Sequence, residues 1–103
     1  MEIRPVVTLE EAAKGLDAGK AFCDFNEEGV GLYFIASLLS DIESLKILAG
    51  IHGKKNGFYR MLSKRFPFTL YYDVDGNIAR GAAVLDMRRD PAWIRRELKR
   101  RKG

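Results

Sequence analysis

The sequence predicts a single α+β domain in which a helical hairpin packs on an antiparallel β-sheet. Two amphipathic helical segments occupy the first half of the 103-residue chain, and three strand-like segments with proline and tight-turn signals between them occupy residues 58–87. Because 47% of the residues are hydrophobic, a chain of this length can bury one core. We therefore expect one domain over residues 1–103, with the element order β-α-α-β-β-β and a short basic C-terminal helix.

The first two predicted elements are a strand and a helix. Residues 2–7 (EIRPVV) are rich in β-branched side chains, and Pro5 favours a sheet edge because it has no amide hydrogen to donate. Thr8 and Glu11 have the spacing of a capping box, which predicts a helix over residues 9–26. The expected buried face of this helix consists of Leu9, Ala13, Leu16, Phe22 and Phe25.

A second helix is predicted over residues 32–48, after the break at residues 27–31 (EEGVG). Its apolar residues recur every three or four positions, as in an amphipathic helix. They are Leu32, Ile35, Leu38, Leu39, Ile42, Leu45, Leu48 and Ala49. The short connection predicts an antiparallel hairpin. Gly15 and Gly19 indicate either that the second helix approaches the first closely or that the first helix is irregular there.

A glycine-rich basic loop, residues 50–57, leads from the hairpin into the predicted sheet. Pro67 indicates a bend or bulge between the first two strands, and Asp75-Gly76 supplies the positive-φ residues of a tight hairpin turn. The three strands are predicted over residues 58–65, 68–74 and 78–87. One face of the middle strand should carry Phe68, Leu70, Tyr72 and Val74. Small residues of the last strand leave room for the helices: Ala79, Gly81, Ala82 and Ala83.

The last predicted element is a basic helix over residues 91–101. Asp90 is a suitable N-cap, and Pro91 fits the first helical position because its missing amide costs nothing there. The apolar anchors of this helix are Trp93, Ile94 and Leu98. With so few anchors, we expect residues 95–102 to be frayed in the isolated protein and ordered by a partner.

Charge is segregated along the chain. Residues 1–50 carry four basic and nine acidic side chains, a net charge of −5, whereas residues 51–103 carry fourteen basic and five acidic ones, a net charge of +9. This asymmetry indicates that the second half meets a polyanion or an acidic protein partner. A basic surface with no specific partner is the alternative.

Residues for conventional catalysis are sparse. The sequence has no glycine-rich phosphate loop and no metal-ligand spacing, so we expect no cofactor and no metal. The only histidine, His52, is expected to be a solvated loop residue, and the single Cys23 a core residue. The lone cysteine, together with the lack of a signal peptide and of an apolar run near ~20 residues, leads us to expect a cytoplasmic protein without a membrane span.

The remaining functional candidates are cations of the predicted sheet. They could stabilise the charge on a scissile phosphate or bind carboxylates of a protein partner. Metal-independent RNA cleavage also needs a proton donor and acceptor, and only Tyr59, Tyr71 and Tyr72 lie near enough, although all three are more typical of core or sheet-face aromatics. The candidate catalytic set is Arg60, Lys64, Arg80 and Arg88.

Several motifs of the second half occur together in one family of bacterial toxins. They are residues 59–62 (YRML), 64–68 (KRFPF), 70–72 (LYY), 83–85 (AVL) and 88–93 (RRDPAW). On these motifs the chain resembles the RelE/ParE superfamily. The resemblance is strong from Arg60 onward and weaker over the helical hairpin. It implies the toxin component of a type II toxin–antitoxin (plasmid stabilisation) module, neutralised by an acidic, partly disordered antitoxin. A homodimer and a heterotetramer with the antitoxin are both compatible with it.

The superfamily divides into two functional branches. RelE-like members cut mRNA on the ribosome with sheet Lys/Arg residues and often a tyrosine near the C-terminus, whereas ParE-like members inhibit DNA gyrase. Here no tyrosine follows Tyr72, and Asp86 occupies a position that is often His in relatives, where an acid would repel a phosphate. The resemblance therefore favours a ParE-like gyrase inhibitor. The alternatives are a RelE-like mRNA endonuclease and a non-toxic nucleic-acid-binding or regulatory module.

These functions predict different roles for the same basic residues. In an endonuclease, the four candidate catalytic cations would converge in one concave patch. In an inhibitor, the basic residues and Trp93 would contact the antitoxin or target. The candidate partner-binding residues are Arg60, Lys64, Arg65, Arg88, Arg89, Trp93, Arg95, Arg96, Lys99 and Arg100.

Overall fold

The computed structural model describes residues 3–102 and consists of a five-stranded sheet with helices on both faces. The strands are β1 (Val6–Thr8), β2 (Lys54–Lys55), β3 (Phe58–Leu62), β4 (Phe68–Asp75) and β5 (Ile78–Asp86), and the helices are α1 (Glu10–Asn26), α2 (Val30–Glu43), α3 (Leu45–Leu48) and α4 (Pro91–Lys102). The predicted element order is confirmed, with α3 and β2 as short additions. None of the helices within residues 3–102 has the length and apolar content that crossing a membrane requires.

The strand order in the sheet is β1-β5-β4-β3-β2. The N-terminal strand therefore lies at an edge, as Pro5 predicted, and the Pro5 carbonyl accepts the Ala79 amide at 3.1 Å. β1 pairs in parallel with β5, whereas β2 to β5 pair antiparallel. A parallel pair needs a long crossover connection, and the chain from α1 to β4 supplies it.

The helices α1 and α2 pack on one face of the sheet over buried Leu16, Phe34, Leu38, Leu70 and Tyr72. α1 is continuous from Glu10 to Asn26, so its two glycines mark close approaches rather than an irregularity. A Cβ atom on Gly19 would lie 2.4 Å from the Phe34 ring of α2. A Cβ atom on Gly15 would lie 2.4 Å from the Val84 carbonyl oxygen of β5.

The predicted start and buried face of α1 are partly wrong. Thr8 ends β1, and Leu9 is the N-cap without a side-chain hydrogen bond, so the capping box is not formed. The Leu9 amide donates to the Gly81 carbonyl, which keeps this segment extended beside β5. Phe25 is 89% exposed, and only Leu16 of the expected face is buried. The residues that are exposed instead are Leu9, Ala13, Phe22 and Phe25.

The second helix is divided, and its buried stripe differs from the prediction. α2 ends at Glu43, and Ser44, whose hydroxyl donates to the Asp41 carbonyl, separates it from α3. The buried apolar residues of this region are Phe34, Leu38, Ile42, Leu45 and Ala49. Leu32, Leu39 and Leu48 are exposed. Apolar residues flank the true stripe on both sides, so the 3–4 spacing was compatible with two helix faces.

The turns of the sheet depend on glycine and asparagine. β2 lies in the segment predicted as loop and pairs with β3 through a turn in which Asn56 and Gly57 have φ values of 54° and 84°. The β4–β5 turn is one residue later than predicted, because Asp75 pairs with Ile78 and Gly76 has the positive φ, 58°. The predicted face of β4 is confirmed. Its four residues Phe68, Leu70, Tyr72 and Val74 pack with the helical hairpin.

The C-terminal helix α4 covers part of the second sheet face. Ile94 and Leu98 are buried there against Tyr71 and Leu85. Asp90 acts as predicted at the N-terminal end, where its Oδ1 accepts the Ala92 amide at 3.1 Å. The helix continues to Lys102, and the fraying of residues 95–102 in the isolated protein stays a prediction.

Candidate partner-binding surface

Arg80 is held by carboxylates of the neighbouring strand. Its Nε and Nη2 atoms each lie 2.8 Å from an oxygen of Asp73, and Nη1 lies 3.7 Å from an oxygen of Asp75. Asp73 and Arg80 face each other in the β4–β5 register. The hydrogen bonds to Asp73 raise the pKa of Arg80. This guanidinium is therefore a structural part of the hairpin rather than a free phosphate clamp.

Arg88 is held in a similar way at the other end of β5. Its Nε and Nη2 atoms donate to Asp86 at 3.0 and 2.8 Å, and its guanidinium lies 5.0 Å from the centre of the Phe22 ring. Burial acts to raise the pKa of Asp86, but the hydrogen bonds and charge of Arg88 bring it below its ordinary value. Asp86 thus neutralises the arginine that was a catalytic candidate.

The other two catalytic candidates lie apart from this pair. Arg60, on β3, faces Tyr71 of β4 in the register, and its Nε atom is buried without a hydrogen-bond partner. Lys64 is exposed in the loop after β3. Along β5, the six-residue separation of Arg80 from Asp86 corresponds to about 20 Å. Arg80 and Arg88 therefore do not converge on one phosphate.

The tyrosines near these cations belong to the core, as expected. Tyr71 and Tyr72 are 1% and 0% exposed, and Tyr59 stacks on Tyr72 with ring centres 5.1 Å apart. Burial raises the pKa of Tyr71, and the neighbouring Arg60 only partly opposes this effect. Burial likewise raises the pKa of Tyr72, so the buried hydroxyls of Tyr71 and Tyr72 are unsuitable as general bases.

His52 differs from its prediction as a solvated loop residue. Its Nδ1 atom lies 2.5 Å from the hydroxyl oxygen of Tyr72, and burial lowers the pKa of the imidazole. Cys23 is buried as predicted, and burial raises the pKa of its thiol. Within residues 3–102 there is no group of three or more His, Cys, Asp or Glu side chains that could hold a metal ion.

Seven of the ten candidate partner-binding residues form no ion pair in the described part of the chain. Arg88 and Arg100 are the exceptions among the cations, since Arg100 pairs with Glu97 at 3.0 Å. Trp93 is covered by Arg89, whose guanidinium lies 3.8 Å from the ring centre. The unpaired residues are Arg60, Lys64, Arg65, Arg89, Arg95, Arg96 and Lys99.

A basic cleft, here called the Asn56 cleft, runs between the β2–β3 turn and α4. It has a volume of about 490 Å³ and is lined by Asn56, Ala92, Arg95, Arg96 and Lys99. Sequence reasoning found the helical cations but missed Lys55 and Asn56, because residues 50–57 were predicted to be a loop. The Asn56-Gly57 pair is a two-residue hairpin signal that could have found β2 and placed these residues beside α4.

The sheet with its helical hairpin and C-terminal helix defines the mixed α+β fold that the resemblance to the RelE/ParE superfamily implied. In agreement, the chain is similar to a solved structure described as the chromosomal ParDE TA system from P. aeruginosa. The TM-score is 0.72 and the sequence identity 16%, over 80% of this chain and 94% of that chain. At this identity the similarity concerns the fold. No family model and no curated protein matches the sequence.

Proposed function

We propose that this protein is the toxin component of a type II toxin–antitoxin module and inhibits growth by binding a protein target, DNA gyrase. Two observations support the proposal. The fold is shared with a chain of a ParDE system, and the basic surface of α4 and the β2–β3 turn carries cations that no carboxylate of the described residues neutralises. An antitoxin with an acidic, partly disordered segment would neutralise this surface by folding on it.

The observation that carries the choice of target is the separation of the candidate catalytic cations. Arg80 and Arg88 each hold a carboxylate through two short hydrogen bonds, and they lie towards opposite ends of β5. A scissile phosphate at either one would have to displace an aspartate and would gain no help from the other. This arrangement favours a protein-binding inhibitor over an mRNA endonuclease.

Controlled induction in a bacterium without the antitoxin tests the proposal. We expect DNA synthesis, followed by pulse labelling, to stop before protein synthesis, and the cells to form filaments. Rapid loss of protein synthesis with cleaved transcripts would instead identify an mRNA endonuclease. Harmless induction of a folded chain would identify a non-toxic binding or regulatory module.

A matched pair of variants makes the induction experiment specific. Arg96→Gln removes a cation of the Asn56 cleft, whereas Arg80→Gln removes one that a carboxylate already holds. We expect Arg96→Gln to reduce growth inhibition and Arg80→Gln to retain it, provided that circular dichroism shows both chains to be folded. The reverse order of effects would contradict a role for the cleft.

A further inference from the structure

A small cavity lies beside the Asn56 cleft, beneath the first turn of α4. Its volume is about 90 Å³. Buried Tyr71 and Ile94, together with half-buried Met87, form its floor, and the exposed residues Lys55, Asn56 and Arg95 form its rim. The cavity therefore combines an apolar floor with a polar, positively charged mouth.

The cavity has no acidic counterpart among the described residues that line it. Lys55 and Arg95 form no ion pair within residues 3–102. Arg89, which also lines the cavity, contacts the Trp93 ring rather than a carboxylate. The neighbouring Asp90 does not line the cavity, and its Oδ1 accepts the Ala92 amide at the start of α4. Three cations around one small opening repel each other, and an anion between them would relieve this repulsion.

The volume of the cavity limits which anions can enter it. The volume of about 90 Å³ is far below the roughly 300–1,000 Å³ of pockets for small-molecule ligands. A phosphodiester carries a sugar on both sides and is too large for a cavity of this volume. A carboxylate at the end of an aspartate or glutamate side chain can enter, because only its methylene stem must follow.

The surrounding aromatic rings also argue against a nucleic-acid ligand. Single-stranded nucleic acids bind through bases that stack on accessible aromatic faces. Here Tyr71 is 1% exposed, and Arg89 covers the ring of Trp93. The cleft and the cavity therefore carry positive charges but no exposed aromatic ring on which a base could stack. This combination favours an acidic polypeptide over a polynucleotide as the ligand.

We propose that this cavity binds a single acidic side chain of a protein partner and anchors an acidic segment whose other carboxylates lie along the Asn56 cleft. The inference rests on the proposed function, in which the chain binds an antitoxin. The Tyr71 hydroxyl supplies a neutral donor at the floor. Arg60 is hydrogen-bonded to this hydroxyl, and the hydroxyl donates to the Met87 sulfur at 3.7 Å. Because sulfur is a weak acceptor, the hydroxyl hydrogen can turn to a carboxylate at little cost.

Binding of a fluorescein-labelled hexaglutamate peptide, measured by fluorescence anisotropy at low salt, tests this proposal. We expect Arg95→Gln and Lys55→Gln each to weaken binding about tenfold, the loss of one charge-assisted contact. Lys46→Gln is the control, since it removes one positive charge from a residue that pairs with Glu43 and lines neither the cleft nor the cavity. It should change the Kd by less than about twofold. Equal losses for Arg95→Gln and Lys46→Gln would refute binding at the cavity.

Two further measurements keep the result specific. Tyr71→Phe should weaken hexaglutamate binding several-fold while the circular dichroism spectrum is retained. An unchanged Kd would show that the hydroxyl does not contact the bound carboxylate. An oligothymidylate of twelve nucleotides should bind more weakly than hexaglutamate. Tighter binding of the oligonucleotide, with displacement of the peptide, would overturn the assignment to an acidic polypeptide.

The peptide-binding test of the cavity gives its result whether or not the chain is toxic. A chain that binds hexaglutamate through Arg95 but is harmless when induced would retain the cavity and refute the proposed toxin. If the chain inhibits growth while Arg95→Gln and Lys46→Gln bind the peptide equally, the proposed function is retained and binding at the cavity is refuted.

Discussion

The hydroxyl of Tyr72 lies 2.5 Å from Nδ1 of His52 and also accepts the Gly50 amide at 2.9 Å. Since the hydroxyl oxygen already accepts the amide, its own hydrogen is available for the imidazole nitrogen. Tyr72 is fully buried, so this pair joins the loop before β2 to the core. The loop leads directly to Lys55 and Asn56, and its position therefore matters for the basic cleft.

The first prediction concerns the pH dependence of this contact. Burial lowers the pKa of His52 in the folded protein, so the unfolded chain binds the proton more readily. The free energy of unfolding should therefore fall as the pH drops below about 6.5, the ordinary histidine value. Denaturant unfolding between pH 7.5 and pH 5 measures this fall. His52→Gln is the control and should show a smaller fall over the same range, whereas an identical fall would exclude His52 as the cause.

The second prediction removes the hydroxyl of the same pair. Tyr72→Phe leaves the Gly50 amide and the His52 ring without their partner but keeps the packing of the ring. We expect a loss of about 1–2 kcal/mol in the free energy of unfolding. Tyr59→Phe is a suitable control, because Tyr59 stacks on Tyr72 but is half-buried and does not hold the loop. If both variants unfold at the same urea concentration as the parent, the contact contributes nothing to stability.

The third prediction tests the close approach of α1 to the sheet. In Gly15→Ala the new Cβ would lie 2.4 Å from the Val84 carbonyl oxygen, and backbone atoms of a central strand cannot move aside. Although alanine favours a helix by about 1 kcal/mol over glycine, overpacking costs typically 1–3 kcal/mol. The net result should be a lower Tm. Gly53→Ala, where the Cβ meets open space, should leave the Tm nearly unchanged, and an increase in Tm for Gly15→Ala would contradict the packing.

The fourth prediction concerns the link between α1 and α2. The Asp24 carboxylate accepts the Gly31 amide at 2.8 Å, and this bond, followed by the Lys20 contact, lowers the pKa of Asp24. A lowered pKa means that the stabilisation is present above the unfolded value and is lost as the pH falls through the folded value. Asp24→Ala should therefore lower the Tm at pH 7 but much less at pH 2.5. Asp17→Ala, on the exposed side of α1, should change little at either pH.

Local patterns predicted those parts of the fold that depend on neighbouring residues. The Asp90-Pro91 start of α4 and the inward face of β4 were predicted correctly, because a cap and a strand alternation involve only a few adjacent residues. The capping box at Thr8 failed because Leu9 pairs with Gly81, a partner more than seventy residues away in the sequence. Tertiary pairing there overrides the local preference.

The roles of the cations could not be predicted because they depend on the strand register. With Asp75-Gly76 as the two turn residues, Arg80 would face Tyr71. The turn actually lies at Gly76 and Asn77, one residue later, and Arg80 therefore faces Asp73 and is neutralised. A one-residue shift in a hairpin turn thus decides whether this arginine is free to bind an anion or is held by a carboxylate.

The last prediction concerns the order of α4. Arg101, with only 10% of its side chain exposed, donates to the Glu97 side chain and carbonyl and lies 3.3 Å from Glu11 of α1. These contacts hold the end of α4 against the start of α1. Arg101→Gln should therefore increase amide hydrogen exchange over the last two turns of α4 while leaving exchange in β4 unchanged.

Lys99→Gln, an exposed change two residues earlier, is its control and should not alter the exchange of α4. If the parent chain already exchanges these amides as fast as Arg101→Gln does, the ion pairs do not order the helix. The tail would then be frayed until a partner binds, as its sparse apolar anchors alone suggested. Because Arg95 lies on this helix and at the rim of the cavity, rapid exchange would also imply that the acidic partner helps to build the site it occupies.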